Sequence, residues 1–202
     1  MSTPKQKPAS EVFNYLTVLT SVVLGLGLSH LLIGYARIIQ TPNMLAESWL
    51  YTGWLILLLP LYFTYWWAFW DYREQVRWSF VGFSFMLLGP VTLYLITALY
   101  LPDNFTDDPS GIRDHYIQIR PWTYGLWIGL QIWGILLAPW LKQGLKWSTF
   151  FTRYKIAQFI LLLFLLTGYV LNFNWILDGS ILVVFWLVLI YILTAHRPSL
   201  QD

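Results

Sequence analysis

Residues 12–40 read VFNYLTVLTSVVLGLGLSHLLIGYARIIQ, a long apolar segment in which polar side chains stand at helical spacing. A helix of about 20 apolar residues crosses a bilayer, because each residue adds about 1.5 Å to a hydrocarbon core about 30 Å thick. The segment is long enough to cross even when tilted. Because no small-residue cleavage site follows a short apolar region, we interpret it as a first membrane span and not as a signal peptide.

Two sides of this helix carry residues that suit protein contacts better than lipid. Small side chains at every fourth position let two helix backbones approach closely. This predicted helix-packing stripe consists of Thr17, Ser21, Gly25 and Ser29. The opposite side carries His30 and, two turns further on, Arg37. The pattern predicts a helix inside a bundle or against a neighbouring subunit, and we expect a homo-oligomer.

His30 has two interpretations, because an ionisable group in a bilayer is costly when charged and usually has a partner or a water path. In the first, the neutral ring bonds a backbone carbonyl or a hydroxyl and only locks helices together. In the second, it is a protonatable site on an ion path. The sequence leaves both open.

The composition is typical of an all-α, polytopic integral membrane protein. Hydrophobic residues make up 57% of the chain and aromatic residues 19%, and the few charges gather between apolar runs, which leaves no room for a soluble domain. The apolar runs predict one membrane domain over residues 1–202, a six-transmembrane helix bundle. Its predicted spans are about 12–40, 48–70, 79–101, 122–141, 156–173 and 175–195.

Basic residues concentrate in the connections that six spans would place on the side of the two termini, where Lys5, Lys146 and Arg153 are examples. Positive residues accumulate on the cytoplasmic side of membrane proteins. We therefore predict that both termini are cytoplasmic and that the membrane is a bacterial inner (plasma) membrane. The net charge of +2 comes with no basic soluble region, so we expect no nucleic-acid partner.

Two connections on that side carry distinctive patterns. The 71–78 connection contains a charged cluster beside a dense aromatic run, which indicates either a solvated turn next to an aromatic belt or an inner gate. Its members are Asp71, Arg73, Glu74 and Arg77. Residues 143–155 predict an interfacial amphipathic helix, with aromatic residues on one face and basic residues away from it. Such a helix is suited to anionic lipid at the inner leaflet.

The opposite side holds an acidic connection, residues 102–121, and the start of the last span. We interpret the connection as a soluble loop, or alternatively as a short surface helix or flap. Asp178 lies just inside the last span, at a depth where Arg37 would meet it if the two helices were neighbours. We predict an Arg37–Asp178 pair within a polar funnel that also contains Asn172 and His30. Alternatively, Asp178 only caps its helix.

Several kinds of chemistry are excluded or disfavoured by absent residues. The chain has no cysteine, which excludes disulfides and thiolate sites. Without a lysine in a span core or a second embedded histidine, retinal and bis-histidine haem are disfavoured. No metal-ligand spacing appears, since His115 and the nearby aspartates follow no fixed pattern. No catalytic motif is present, and no cofactor is required by the sequence.

These observations favour a small channel or transporter for protons or small cations, with ion-path candidates His30, Arg37, Asp178 and Asn172. The alternative is a binding or assembly subunit that holds a lipid, quinone or hydrophobic cofactor, or docks another membrane protein. The aromatic density supports that alternative. An enzyme acting on lipid ranks third, because it would need a polar pocket opening toward the bilayer.

Overall fold

The computed structural model describes residues 9–40, 49–69, 79–101, 109–137, 153–171 and 174–195, and the regular elements in these ranges are all helices. The six α-helices are α1 (Ala9–Gln40), α2 (Trp49–Phe69), α3 (Phe80–Tyr100), α4 (Pro109–Ile132), α5 (Arg153–Val170) and α6 (Trp175–Ala195). The predicted all-α fold class is confirmed.

Three helices contain segments long and apolar enough to cross a membrane. These segments are Phe13–Gln40, Phe80–Tyr100 and Trp175–Thr194. The outward-facing side chains of the helices include many large aliphatic and aromatic residues. Exposed apolar surface of this kind marks contact with a membrane or with other proteins. The three long apolar segments indicate a membrane protein.

The helices contact one another in the cyclic order α1, α3, α4, α5, α6, α2, and α2 returns to α1. Helix α2 also contacts α3 and α4, which places it nearest the centre of the bundle. Its position matches its burial, since Leu50, Trp54, Leu55 and Leu58 are all fully enclosed. A helix that is apolar on all sides is expected in such a central place.

At two glycines of α1, side chains from neighbouring helices pack directly against its backbone. A Cβ at Gly27 would lie 2.0 Å from the hydroxyl oxygen of Tyr62, and a Cβ at Gly34 would lie 2.4 Å from a methyl group of Leu101. Both distances are far below van der Waals contact, so a side chain at either position would displace the neighbouring side chain. Small residues have this role wherever membrane helices pack without a hydrophobic driving force.

Helix α3 contains Pro90, which has no N–H and cannot donate to the carbonyl of Met86. The hydroxyl of Tyr65 donates to Met86 O instead, at 3.3 Å. The indole of Trp133 donates to the preceding carbonyl, Phe85 O, at 2.7 Å. Two other helical segments thus supply side-chain donors at the proline, as a bilayer interior requires.

A short π-helical segment, Trp133–Leu137, continues α4. Residue 139 is a proline, so the carbonyl of Ile135 cannot receive the α-helical bond that an N–H at that position would give. The buried ammonium of Lys155, at the start of α5, donates to Ile135 O at 3.1 Å. A cross-helix donor again compensates for a proline.

Side chains from three other helices donate hydrogen bonds to the carbonyls at the end of α3. The last carbonyls of a helix have no partner within it. Here each of three successive carbonyls accepts one bond, and the pairs are His30 on Leu101, Tyr51 on Tyr100 and His115 on Leu99. The two imidazole Nε2 atoms lie 2.9 and 3.0 Å from their acceptors. The end of α3 therefore links α1, α2 and α4.

Helix α4 begins at Pro109, well before the start predicted for the fourth span at residue 122. Most of the segment predicted to be a loop or flap is thus the first half of a continuous helix. Its apolar side is buried, because Ile112, Tyr116 and Ile119 all join the main core. This packing stabilises a helix that crosses Pro121 and carries polar residues on its other side.

Candidate functional site

The described residues form one buried ion pair, between Arg120 in the middle of α4 and Asp178 in the first turn of α6. Arg120 Nε lies 2.7 Å from Asp178 Oδ2, and Nη2 lies 2.8 Å from Oδ1. Two parallel charge-assisted hydrogen bonds of this kind are among the strong polar contacts in proteins. The side chain of Asp178 is 0% exposed, so this contact lies in the interior.

Two tyrosines on α4 flank the guanidinium. Tyr116, Arg120 and Tyr124 are each four residues apart, so they share one face of the helix. The hydroxyl of Tyr116 donates to Asp178 Oδ2 at 2.9 Å. The guanidinium carbon of Arg120 lies 4.8 Å from the centre of the Tyr124 ring, within the range of a cation–π contact. The carboxylate of Asp178 therefore receives bonds from two residues of one helix.

Arg120 also donates hydrogen bonds to carbonyls at the end of α5. It donates through Nη2 to Gly168 O at 2.7 Å and through Nη1 to Leu171 O at 3.1 Å. A cation is favourable beside these unsatisfied carbonyls, where the helix dipole is negative. A Cβ at Gly168 would lie 2.5 Å from both Ile181 and Tyr124, so glycine permits the approach.

These bonds assign Arg120 and Asp178 a structural role. Burying two charges is costly and is offset only when geometry is good and the remaining polar atoms are bonded. Both conditions are met here, and the pair joins α4, α5 and α6. The carboxylate is already committed to Arg120 and Tyr116, so it does not act as an ion ligand in this arrangement.

An aromatic cluster lies next to the ion pair, toward the centre of the bundle. Its rings belong to Trp54, Tyr124, Trp127 and Phe185. The Trp54 ring centre lies 5.7 Å from those of Trp127 and Phe185 and 6.2 Å from that of Tyr124, and Trp127 and Phe185 are 4.8 Å apart. These are normal separations for packed aromatic pairs. Trp127 lies about 10 Å further along α4 than Arg120.

Four polar atoms of this interior have no hydrogen-bond partner among the residues that the structure describes. They are Trp54 Nε1, Tyr100 Oη, Tyr124 Oη and Trp127 Nε1. All four side chains are fully enclosed. The hydroxyl of Tyr100 lies next to Thr123 and the indole of Trp127, and the hydroxyl of Tyr124 lies next to Asp178. We call these four side chains the unpartnered cluster.

Beyond the unpartnered cluster, the buried faces of α5 and α6 are aliphatic. On α5, Leu161 and Leu165 lie between Gly168, beside the ion pair, and Gln158, near the other end. On α6, Val188 and Leu189 follow Phe185. Water and ions are excluded from a layer of this kind unless the helices move apart. The described interior therefore has a polar end and an apolar layer behind it.

His30, on α1, packs against the end of α3 and lies outside the unpartnered cluster. Its ring donates through Nε2 to Leu101 O, which is the first of the two interpretations that the sequence left open. The role of His30 in an ion path stays a prediction. Geometry alone accounts for the residue as a link between α1 and α3.

The predicted partner of Asp178 was wrong, since Arg120 and not Arg37 bonds the carboxylate. The physical reason is the order of the helices: α1 contacts α2 and α3, whereas α6 contacts α2 and α5. Arg37 lies on the outer surface of α1. Asp178 does lie in the first turn of its helix, where the alternative interpretation placed it. Asn172 lies outside the described residues.

The predicted helix-packing stripe faces away from the bundle at its second half. No described atom beyond its own helix lies within 4 Å of a Cβ placed at Gly25, and Ser29 is exposed. Thr17 and Ser21 are half-buried, and their hydroxyls donate to carbonyls one turn back in α1. The packing inside the chain uses the other side of α1, with Gly27 and Gly34. A contact between copies stays a prediction.

Two further predictions fall on parts of the chain outside the described ranges. One is the charged cluster of Asp71, Arg73, Glu74 and Arg77. The other is most of the interfacial helix at 143–155, of which α5 takes up the last residues, from Arg153 onward.

Sequence reasoning missed Arg120, Tyr116 and the unpartnered cluster. One signal was present: Tyr116, Arg120 and Tyr124 recur at helical spacing, which favours a polar helix face over a loop. No such signal marks Trp54 or Trp127 in a chain with 13 tryptophans.

No family model matches this chain, and neither a curated protein nor a solved structure is detectably similar to it.

Proposed function

We propose that this chain is a membrane-embedded binding subunit, the second of the functions considered from the sequence. The observation that carries the proposal is the unpartnered cluster. An enclosed polar group without a hydrogen bond costs roughly 1–3 kcal/mol in proteins. Four such groups in one place would take up a large part of the roughly 5–15 kcal/mol by which proteins are stable. A bound molecule that satisfies them removes this cost.

The arrangement of the interior favours holding a molecule over passing an ion. The charged side chains nearest the cluster, Arg120 and Asp178, are bonded to each other, and Arg120 also donates to the backbone carbonyls of Gly168 and Leu171. The aliphatic layer with Leu161 and Leu165 separates the cluster from Lys155. A channel or transporter for protons or small cations would need this layer to open, and His30 has a sufficient structural role. We therefore rank transport below binding.

Purification in mild detergent tests the proposal. We expect a small molecule at a fixed ratio to protein, detected by native mass spectrometry and by solvent extraction. The ratio should fall in a W54F/W127F variant, which keeps a six-membered aromatic ring at each position and removes both indole N–H groups. Trp122 is 71% exposed, so W122F serves as the control. An identical ratio in all variants, or no bound molecule in fresh membranes, would contradict the proposal.

We further propose that all six helices cross a bacterial inner membrane, with both termini cytoplasmic. The alternation of basic and acidic connections supports this topology. Anionic lipid at the inner leaflet and a second copy of the chain are proposed partners. The chain has no cysteine, so single cysteines at residues 5, 107 and 199 can be labelled without background. Labelling of position 107 alone by an impermeant maleimide on intact cells would support the topology.

A further inference from the structure

We propose that Arg113, held over the ring of Trp175, binds the phosphate group of a membrane phospholipid at the end of the bundle where α4 and α6 begin. This position lies at the helix ends and apart from the unpartnered cluster, so its occupancy is independent of any molecule bound there. Three features support the assignment: the way in which the guanidinium is held, its unfilled hydrogen-bond donors and its depth in the membrane.

The position of Arg113 follows from the buried ion pair next to it. Arg113, Tyr116 and Arg120 recur at helical spacing, so they share the side of α4 that faces the start of α6. Tyr116 and Arg120 both donate to Asp178, which lies one turn after Trp175 on α6. The same register brings Arg113 to Trp175, and the guanidinium carbon lies 5.4 Å from the centre of the indole ring. A cation is stabilised over tryptophan at this distance.

The hydrogen-bond donors of Arg113 are unfilled, in contrast to those of Arg120. A guanidinium carries five N–H groups in a planar fork. Arg120 donates to Asp178 and to two helix-end carbonyls. Arg113 is exposed and forms neither a hydrogen bond nor an ion pair with any residue that the structure describes. Both arginines thus lie over an aromatic ring, and only Arg113 has donors available for a ligand.

The depth of Trp175 places this cation among lipid headgroups. Trp175 begins the apolar segment Trp175–Thr194, whose 20 residues match a hydrocarbon core of about 30 Å. Its ring therefore lies at the boundary of that core. Trp49, at the start of α2, lies beside it with ring centres 6.5 Å apart and is 51% exposed. Tryptophan is enriched at this level of a membrane, where the phosphate groups of the lipids also lie.

A phospholipid suits both parts of this surface. Two oxygens of a phosphate group can accept two parallel hydrogen bonds from a guanidinium, and such charge-assisted pairs are stronger than neutral ones. The exposed ring of Trp49 offers apolar surface to the glycerol and acyl parts of the same molecule. An uncharged lipid would leave the guanidinium without an acceptor, and a free anion would make no use of the tryptophan.

Solid-state NMR in bilayers tests the contact. The full chain with ¹³C-labelled arginine is reconstituted in phosphatidylethanolamine and phosphatidylglycerol, and dephasing of the Cζ signals by ³¹P identifies arginines beside a phosphate. We expect a dephased signal that disappears in Arg113→Gln. It should remain in Arg37→Gln, the control at an exposed arginine of α1. If Arg113→Gln leaves every dephased signal in place, the proposal is overturned.

Native mass spectrometry of the detergent-purified chain gives the affinity for three added probes: dioleoyl phosphatidylglycerol, dioleoylglycerol, which lacks the phosphate, and inorganic phosphate. Arg113→Gln should weaken binding of the phospholipid roughly three- to tenfold, because the lost bonds are charge-assisted but the position is exposed. Arg113→Lys keeps the charge without the planar fork and should recover part of the affinity. Circular dichroism confirms that each variant keeps its helices.

Each alternative occupant gives a different result. If dioleoylglycerol binds as well as the phospholipid, the tryptophans alone hold the lipid and the phosphate assignment is overturned. If inorganic phosphate binds as well as the phospholipid, the site takes a free anion and the lipid assignment is overturned. A molecule held by the unpartnered cluster should copurify equally with Arg113→Gln and with the unmodified chain, so the two proposals can fail separately.

Discussion

The ion pair and the unpartnered cluster are neighbours in the same bundle, yet they treat polar atoms in opposite ways. Around Arg120 and Asp178, each carboxylate oxygen has a charged donor and two helix-end carbonyls are closed. Around Trp54 and Trp127, four polar atoms have no bond from any described residue. The first arrangement is complete without a ligand, and the second is not.

This contrast separates structural polar residues from candidate functional ones in an apolar bundle. Several polar side chains of the bundle donate hydrogen bonds to backbone carbonyls that lack a helical partner. Tyr65 and Lys155 donate to carbonyls near prolines, and His30 donates at a helix end. The hydrogen bonds of these residues give each of them a structural role. A group that lacks a partner is the better candidate for binding, although it carries no charge and attracts less attention in the sequence.

The largest effect is expected from breaking the ion pair. Asp178→Leu leaves Arg120 charged and buried, and removing one partner of a buried pair costs about 3–5 kcal/mol. A midpoint of unfolding in SDS-titrated micelles measures the loss. R120M/D178L should recover much of it, since no lone charge remains. Asp114→Asn, at an exposed position, should leave the midpoint unchanged. Equal losses in the single and the double variants would contradict the structural role of the pair.

A smaller effect, with a sign that depends on occupancy, is expected at Tyr124. If the site is empty, Tyr124→Phe removes an unsatisfied hydroxyl and should stabilise the chain by about 1–3 kcal/mol. If a molecule is bound, the same change removes a bond and should destabilise it by about 1 kcal/mol. Unfolding before and after exhaustive detergent exchange compares the two states. Tyr169→Phe, at an exposed position, is the control. If Tyr124→Phe changed the stability in the same direction before and after detergent exchange, the result would contradict a removable bound molecule.

His30 tests the same contrast, because its ring has a hydrogen-bond partner and it was the principal functional candidate from the sequence. His30→Ala should cost about 0.5–1.5 kcal/mol through the lost bond to Leu101 O. His30→Gln keeps an N–H donor and should lose less. In proteoliposomes, we expect proton flux to be the same for the unmodified chain and His30→Gln. Loss of a pH-dependent flux in His30→Gln, with the fold intact, would restore the ion-path interpretation.

The smallest effect is expected at the Pro90 break. The bond from Tyr65 to Met86 O is long, at 3.3 Å, so Tyr65→Phe should cost only about 0.5 kcal/mol. Pro90→Ala supplies an N–H for that carbonyl, so the tyrosine change should have no further effect in the double variant. A double-mutant cycle on unfolding midpoints measures this coupling. Additive effects would show that Tyr65 does not compensate for the proline.

The helices could largely be predicted from the sequence, and the contacts between them could not. Helix α6 has the bounds predicted for the sixth span, because an apolar run between polar residues defines both ends. The start of α4 was missed, since its first half is polar and contains Pro121. That half is stabilised by burial against other helices, and hydropathy along the chain does not report such packing.

The candidate site shows the same limit. Asp178 was identified because a carboxylate at the edge of an apolar run is conspicuous. Its partner was assigned to α1 by depth alone, whereas the helix order brings α4 beside α5 and α6. Trp54 and Trp127 could not be predicted, because what distinguishes them is a missing hydrogen bond. A missing hydrogen bond can be recognised only in the three-dimensional structure.

The end of α3 has a consequence for how the chain is made. Its terminal carbonyls take donors from two helices that are synthesised earlier and from His115 on α4, which is synthesised later. During synthesis, α3 is therefore complete before the carbonyl of Leu99 can accept its hydrogen bond from His115. We expect a nascent chain that stops after α3 to remain sensitive to protease and to become resistant once residue 115 has left the ribosome and inserted.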